Sequence, residues 1–150
     1  MAERPDPAGY CFGCGRENAR GLGLQFRLEE GRAIAEFTPP EFLQGYPGFV
    51  HGGGVATILD EAMGWAIYGR GVWAMTARFT MRFRRAVPLG QLIKVSGWVT
   101  RDRGRFLEVR GEVRSRQGHL LAEADGLFAR VKGQQAEELR RQYEAARAPR

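Results

Sequence analysis

Residues 45–69, GYPGFVHGGGVATILDEAMGWAIYG, are the stretch of the chain whose residue types could most clearly take part in catalysis. His51 is followed by three glycines, and two adjacent acids, Asp60 and Glu61, interrupt a nearly uncharged stretch. Glycines at the start of a helix leave backbone N–H groups unpaired at the positive end of the helix dipole, where they stabilise a developing oxyanion. A nearby carboxylate acts as a general base or attacks directly. The segment therefore offers both a donor for a developing negative charge and a carboxylate that can activate water or attack directly.

The stretch from Gly52 to about Tyr68 has apolar residues at helical spacing and predicts the one strong helix of the chain. Its core face carries Val55, Ile58, Leu59, Ala62 and Ala66. A stripe of small residues runs beside that face and consists of Gly53, Ala56 and Gly64. Asp60 falls on this stripe at about 100° per residue, so we expect another segment to pack closely there. Glu61 projects roughly another 100° round, away from the core face, which predicts a solvated acid.

Apolar and polar residues alternate in runs of strand length on both sides of this helix. The first run has Leu22, Leu24, Phe26 and Leu28 on one face, and a turn at residues 29–31 leads to a second run, RAIAEF. Four runs follow the helix: WAMTARFTMRFRR, QLIKVSGWVT, RFLEVRGEVRS and HLLAEADGLFARV. We expect the first of these four to be half-buried, with Ala77, Phe79, Met81 and Phe83 on its apolar face. Short separations between the last three favour antiparallel pairing.

Two strands, one long helix and four further strands predict an α+β fold, in which an antiparallel sheet of about six strands wraps around a single central helix. A chain of 150 residues, 43% of them apolar, suits one core. The tail from about Gly133 has helical composition but little apolar surface, so we expect a frayed surface helix that is partly disordered.

The net charge of +6 and the pI near 10.0 favour an anionic partner, such as nucleic acid, a membrane surface or a phosphorylated small molecule. No base-reading motif occurs, and most phenylalanines fall on alternating core faces, so we expect no nucleic-acid partner. The N-terminus lacks an apolar signal region, and no stretch approaches about 18 unbroken apolar residues. We therefore expect neither export nor membrane insertion, and a cytoplasmic location.

The two cysteines, Cys11 and Cys14, lie in the sequence CFGCG. Structural zinc needs about four ligands, and nothing in the sequence assigns His51 or His119 to complete the set. We interpret the pair as a turn with two reduced thiols, because a permanent disulfide is not expected in a reducing cytosol. A zinc site completed by another subunit and a redox pair remain open alternatives.

The segment HGGGVATILDEAMGWA, within this order of strands and helix, resembles the hot-dog fold thioesterase superfamily, in particular its PaaI-like branch of acyl-coenzyme A thioesterases. The pattern of that family is H-G-G, six residues and then an acid, and the residues from His51 to Asp60 fit it without a gap. Thr76, in WAMTARFTMRF, matches a threonine at the start of the next strand of the family.

The resemblance covers about Gly21 to Val131 and implies a hot-dog thioesterase domain at residues 21–132. An N-terminal extension with the cysteine pair, residues 1–20, precedes the domain. Its sequence CFGCGRENARGLGL also looks like an extension seen in one subset of these proteins. A C-terminal tail, residues 133–150, follows the domain and is expected to be partly helical or disordered.

The resemblance implies hydrolysis of an acyl-coenzyme A thioester to a free acid and coenzyme A. The Gly52 N–H would polarise the thioester carbonyl, and Asp60 would act as general base or nucleophile, two roles that the sequence does not separate. Thr76 would hold the attacking water, while His51 would shape the loop by hydrogen bonding and touch the thioester. We expect no cofactor and no metal in this site.

Substrate contacts are expected at Gly53 and at a basic stripe that faces the phosphates of coenzyme A. The stripe consists of Arg82, Arg84 and Arg85, with Lys94 and Arg101 as further candidates. A sheet around one helix leaves two free edges, so we expect a homo-oligomer, either a dimer or a dimer of dimers, as the resemblance also implies. In the expected dimer, Gly52 and Asp60 come from one chain and some arginines from the other.

The alternative function is a non-catalytic acyl-coenzyme A-binding or sensor protein on the same fold, and the presence of Asp60 argues against it. A hydratase or dehydratase would need a differently placed acid–base pair, which we do not find in the sequence. The sequence does not identify the acyl group of the substrate. Aromatic residues that hint at an aromatic or medium-length acyl tail are Phe42, Tyr46, Phe49, Trp65 and Trp73.

Overall fold

The computed structural model describes residues 9–147, so the first eight residues of the expected extension and the last three of the expected tail lie outside it. Within this range the chain forms six strands and two α-helices. Their bounds are β1 Arg27–Glu29, β2 Arg32–Phe37, α1 Gly52–Tyr68, β3 Ala74–Phe83, β4 Ile93–Asp102, β5 Phe106–Ser115, β6 Leu120–Arg130 and α2 Gly133–Arg147. A single helical turn, Glu41–Leu43, lies between β2 and α1.

The six strands form one antiparallel sheet in the order β1-β2-β4-β5-β6-β3. β4, β5 and β6 are the predicted meander, and β2 and β3 pair with its two outer strands. α1 packs across this sheet, mainly over β4 and β5. The expected architecture of six strands around one long helix is therefore confirmed.

Close packing of α1 on the sheet depends on the absence of a side chain at Gly97 in β4. A Cβ atom at this position would lie 2.3 Å from the backbone carbonyl oxygen of Ala62 in α1. Gly111, the partner of Gly97 on β5, faces the same helix, and a Cβ there would lie 3.1 Å from Leu59. The two glycines let the helix backbone approach the strands, so the apolar face of α1 is buried.

The first strand is shorter than its alternation predicts. Leu22 and Leu24 are buried as expected, but they precede β1, which has three residues. Their N–H groups donate to the carbonyl oxygens of Phe12 and Gly13, both over 2.9 Å, instead of to a neighbouring strand. The N-terminal loop, residues 9–26, is therefore held by its own backbone hydrogen bonds and packs its leucines into the core.

The third strand is more exposed than the half-buried strand expected from its alternation. Phe79 and Met81 are partly covered, whereas Phe83 is 56% exposed and Met75 is 50% exposed. The difference arises because β3 is an edge strand, while α1 lies mainly over the middle of the sheet. Within the described residues, no strand pairs with the outer side of β3.

The C-terminal tail contacts the end of α1 through packed aromatic rings. Tyr143 of α2 packs edge-on against Trp73, with ring centroids 4.9 Å apart, and Trp73 packs in the same way against Tyr68, at 5.5 Å. α2 is thus attached to the domain by aromatic packing. In the part of the chain that the structure describes, no helix is long and apolar enough to cross a bilayer.

Candidate active site

Asp60 and Thr76 form the central contact of the site. Thr76 Oγ1 donates a hydrogen bond to Asp60 Oδ1 over 2.7 Å. Simple alternation along β3 would turn Thr76 to the arginine face of the strand, away from α1. A β-bulge at Ala77, where the register of β3 against β6 shifts, removes one step of that alternation. The bulge therefore directs the Thr76 hydroxyl towards Asp60.

Both side chains line a cavity of about 210 Å³ beside α1. The N-terminal loop, β3 and both helices contribute to its wall, which includes Cys11, Cys14, Glu61, Trp65, Trp73 and Tyr143. Trp65 and Trp73, two of the aromatic residues named in the sequence analysis, therefore line this cavity. A carboxylate and a hydroxyl among aromatic rings suit a small ligand that combines an apolar part with a polar group near Asp60.

Glu61 is not the solvated acid that helical spacing predicts. The N-terminal loop covers it, and Cys11 Sγ lies 3.4 Å from Glu61 Oε1. Burial, followed by the negative charge of Cys11, raises the pKa of Glu61 to about 7. The prediction was wrong because helical periodicity describes only the helix, whereas a segment about fifty residues earlier in the chain covers this side of α1.

The start of α1 forms a second part of the site. His51 is the N-cap residue, and its Nδ1 accepts a hydrogen bond from the Gly53 N–H over 2.9 Å. The Gly52 N–H has no acceptor among residues 9–147, as expected for the first residue of a helix. Both His51 and Gly52 border a groove of about 550 Å³ that Tyr46 and Phe49 also line. The groove presents a free N–H donor to whatever occupies it.

The two parts of the site are far apart within one chain. Gly52 and Asp60 are eight residues apart in α1, which corresponds to about 12 Å along the helix axis. During attack on a carbonyl group, the oxyanion donor lies about 3 Å from the carbonyl oxygen and the attacking oxygen lies about 3 Å from the carbonyl carbon. One thioester therefore cannot reach both groups of a single chain, which contradicts the expectation that Gly52 and Asp60 of one chain serve the same site.

The predicted basic stripe is engaged in contacts on the outer face of the sheet. Arg82 and Arg84 lie 3.5 and 3.3 Å from the carboxylate of the buried Glu123. Burial raises the pKa of Glu123, but these arginines and Arg110 outweigh that effect and lower its pKa below the ordinary value. Arg85 lies 3.2 Å from the His119 ring. None of these contacts faces the cavity that contains Asp60.

Cys11, Cys14, Glu61 and Tyr143 belong to the cavity although the sequence analysis did not assign them to it. The spacing of the cysteines indicates a turn but does not specify where the turn packs. Tyr143 is the only aromatic residue after Gly133, and an isolated aromatic in a polar helix is the signal that could have identified it. Lys94 and Arg101 are exposed on β4.

Comparisons with known proteins place these observations in a family. Residues 47–122 match the family model described as the thioesterase superfamily. The chain is 34% identical, over 74% of its length, to the acyl-coenzyme A thioesterase THEM4 of Bos taurus, and 34% identical, over 77%, to that of Mus musculus. These alignments cover 48% and 52% of the two relatives, so the chain spans about half their length.

Solved structures agree with this match. A thioesterase superfamily protein of 29% identity aligns with a TM-score of 0.78 over 86% of this chain and 68% of its own. The PaaI protein from the phenylacetic acid degradation operon of E. coli aligns at 0.70 and 22% identity, over 75% and 82%. A Streptococcus mutans protein bound to acetyl CoA aligns at 0.68 and 21%, over 72% and 88%. These likenesses confirm the hot-dog fold, and together with the match to residues 47–122 they show that the chain belongs to the thioesterase superfamily.

Proposed function

We propose that this protein hydrolyses an acyl-coenzyme A thioester, with Asp60 as the general base or nucleophile. The observation that carries the proposal is the 2.7 Å hydrogen bond from Thr76 to Asp60 at the wall of an aromatic cavity, in a chain of this superfamily. The names of the relatives, acyl-coenzyme A thioesterases, support a thioester as substrate. The acetyl CoA in the Streptococcus mutans structure supports coenzyme A as the thiol part.

The chemistry assigns each residue a distinct task. As a base, Asp60 takes a proton from water while the water oxygen bonds to the thioester carbon; as a nucleophile, its own oxygen bonds to that carbon. In either case the carbonyl electrons move onto the oxygen, which a Gly52 N–H stabilises, and they return as the C–S bond breaks and coenzyme A leaves as a thiolate. In the nucleophile case water then cleaves the acyl–Asp60 anhydride, which releases the acid and restores the carboxylate. Thr76 keeps the Asp60 carboxylate in one orientation.

The distance between Gly52 and Asp60 supports a site built from two chains. Thr76, near the start of β3, contacts Asp60, whereas Phe83, at the end of β3, lies beside Gly52, where a Cβ would be 3.6 Å from its ring. If two copies paired antiparallel through the free edge of β3, the Phe83 end of one strand would meet the Thr76 end of the other. Gly52 of one protomer would then approach Asp60 of its partner.

The small residues beside Asp60 agree with this arrangement. A Cβ on Gly64 would meet no atom of the described residues within 4 Å, so this side of α1 is uncovered in one chain. The exposed Met75 and Phe83 add apolar surface along the same edge. We therefore extend the proposal to a homodimer with two sites at its interface.

The test of the activity is release of free thiol from a panel of short, medium-length and aromatic acyl-coenzyme A esters. Asp60→Asn should lower kcat at least about 100-fold without changing the thermal unfolding midpoint. Asp125→Asn, an exposed acid on the outer face of the sheet, is the matched control and should retain full activity. Undiminished turnover by Asp60→Asn would contradict the assignment. Binding of the esters by the wild type without thiol release would support the non-catalytic alternative.

A single turnover in water labelled with heavy oxygen separates the two roles of Asp60. If Asp60 is a general base, the label enters the free acid in the first turnover. Label in the Asp60 side chain would identify Asp60 as the nucleophile, because water then cleaves the acyl–Asp60 anhydride at the Asp60 carboxyl carbon and the first acid keeps an unlabelled oxygen from the carboxylate. Mass spectrometry of the acid and of the peptide that contains Asp60 distinguishes the outcomes.

A further inference from the structure

The cluster of Cys11, Cys14 and Glu61 is not used by the proposed hydrolysis. One sulfur from each cysteine and one carboxylate oxygen of Glu61 all lie within 4.8 Å of one another. Two of the three residues come from the N-terminal loop and the third from α1, so the cluster joins segments that are separate in sequence. Its side chains form part of the cavity wall near Asp60.

The N-terminal loop packs tightly against Glu61. Gly15 N–H donates to the Cys11 carbonyl oxygen over 2.9 Å and closes the turn that carries both sulfurs. A Cβ on Gly13 would lie 2.1 Å from Glu61 Cγ, so the loop backbone touches the acid and only glycine fits there. The position of the sulfurs against the carboxylate is therefore set by backbone contacts.

The Cys11 thiol donates a hydrogen bond to Glu61 Oε1, and a bound cation would take the place of this proton. Two thiolates and a carboxylate would bring three negative charges together, and among residues 9–147 no lysine, arginine or histidine forms an ion pair with Glu61. A bound cation would balance this charge.

The spacing fits a tetrahedral ion. Zinc bonds of about 2.3 Å to sulfur and about 2.0 Å to oxygen, at the tetrahedral angle, separate a sulfur from an oxygen ligand by about 3.5 Å. The observed distance from Cys11 Sγ to Glu61 Oε1 is 3.4 Å. Thiolate ligands select zinc and similar ions over magnesium or calcium.

We propose that Cys11, Cys14 and Glu61 bind one thiophilic divalent cation of the zinc class, with water as the fourth ligand on the side of the cavity. The ion ties the N-terminal loop to α1 and forms part of the wall of the acyl-binding cavity. Glu61 is the third ligand that the CFGCG sequence alone does not identify.

The test uses the full chain, stripped of metal with a chelator under reducing conditions and titrated with Co²⁺ and Zn²⁺. Wild type should bind one Co²⁺ per chain with a thiolate-to-cobalt charge-transfer absorption. Cys11→Ser and Cys14→Ser should each lose about half of this absorption, and the double variant all of it. Glu61→Gln should keep the absorption but bind the ion at least about 10-fold more weakly.

Asp60→Asn, which changes the adjacent acid in the same cavity, is the matched control and should bind the ion as the wild type does. Absence of the charge-transfer absorption in the wild type, or equal loss of affinity in Asp60→Asn and Glu61→Gln, would overturn the proposal. So would a Cys11–Cys14 disulfide that forms in reducing buffer, because it would identify the cysteines as a redox pair.

A second measurement does not depend on the folding of the cysteine variants. Zn²⁺ should slow alkylation of both thiols of the wild-type chain at least about 10-fold, because coordination removes the nucleophilic lone pairs. An alkylation rate that Zn²⁺ leaves unchanged would refute the site. Metal binding is measured without substrate, so this result is independent of the proposed thioesterase activity.

Discussion

The hydroxyl of Thr76 contacts one oxygen of the Asp60 carboxylate, which leaves the second oxygen available for a water molecule or a carbonyl carbon. The neighbouring acid, Glu61, instead faces two sulfurs. The two acids are adjacent in sequence but lie on different sides of α1, and each has the partners of its own side. At the scale of residues, the chemistry therefore depends on which segment covers each acid.

The contact between Thr76 and Asp60 predicts a role for the threonine hydroxyl in orienting the carboxylate. Thr76→Val keeps the shape of the side chain but removes the donor, so kcat should fall about 10- to 100-fold while KM changes little. Thr76→Ser keeps the hydroxyl and should retain most of kcat. Steady-state kinetics of both variants with one thioester checks this. An effect confined to KM would instead assign Thr76 to substrate binding.

At the scale of elements, the proposed mechanism assigns the oxyanion donor to the first residue of α1. Gly52→Pro would remove this N–H, and proline is well tolerated at the first position of a helix. The preceding residue, His51, has φ −56° and ψ 140°, which is the backbone conformation preferred before proline. Loss of this single donor should reduce kcat about 100- to 1,000-fold with an unchanged helix content by circular dichroism. Gly52→Ala keeps the N–H and is the control, since its Cβ would lie 3.6 Å from Phe83. Equal losses in both variants would show that the N–H is not the important feature.

The packing of α1 on β4 predicts opposite effects of two glycine substitutions. Gly97→Ala would place a Cβ 2.3 Å from the backbone of α1, so the free energy of unfolding should fall by about 1–3 kcal/mol. Gly64→Ala lies in the middle of the helix with open space around it in one chain, so it should raise that free energy by about 0.5–1 kcal/mol in the monomer, whereas close packing of a partner chain on Gly64 would reverse the sign. Denaturant unfolding of both variants at one protein concentration measures the difference. A stable Gly97→Ala variant would contradict the close approach of helix and strand.

At the scale of the whole molecule, the sheet has two unequal edges. β1 has three residues, whereas β3 has ten and carries exposed Met75 and Phe83. A long, exposed apolar edge favours pairing with another strand. The cavity with Asp60 and the groove with Gly52 lie along this same strand, so pairing through β3 would join the two parts of the site.

Mixing two inactive variants tests this arrangement. If Gly52 and Asp60 of different chains form each site, mixed dimers of Asp60→Asn and Gly52→Pro contain one intact site and one doubly altered site. Random subunit exchange should then restore about a quarter of wild-type activity. If one chain supplied both residues, every site in the mixture would carry a defect and no activity would return. Sedimentation of an active wild-type monomer would also contradict the dimer.

Local patterns were sufficient for much of the fold. The bounds of α1, the RAIAEF strand and the meander of β4, β5 and β6 follow from periodicity and turn residues, since these act over a few neighbouring positions. The interval between His51 and Asp60, together with the order of strands and helix, was enough to indicate the superfamily, because the helix start and the acid belong to one continuous segment.

Other features depend on contacts between distant segments and could not be read from spacing. The bulge at Ala77, which turns Thr76 towards Asp60, arises from the pairing of β3 with β6. The burial of Glu61 arises from the packing of a loop some fifty residues earlier in the chain. The exposure of β3 arises from its place at the edge of the sheet. Periodicity specifies the face on which a side chain lies, but only the packing of the whole chain decides what covers that face.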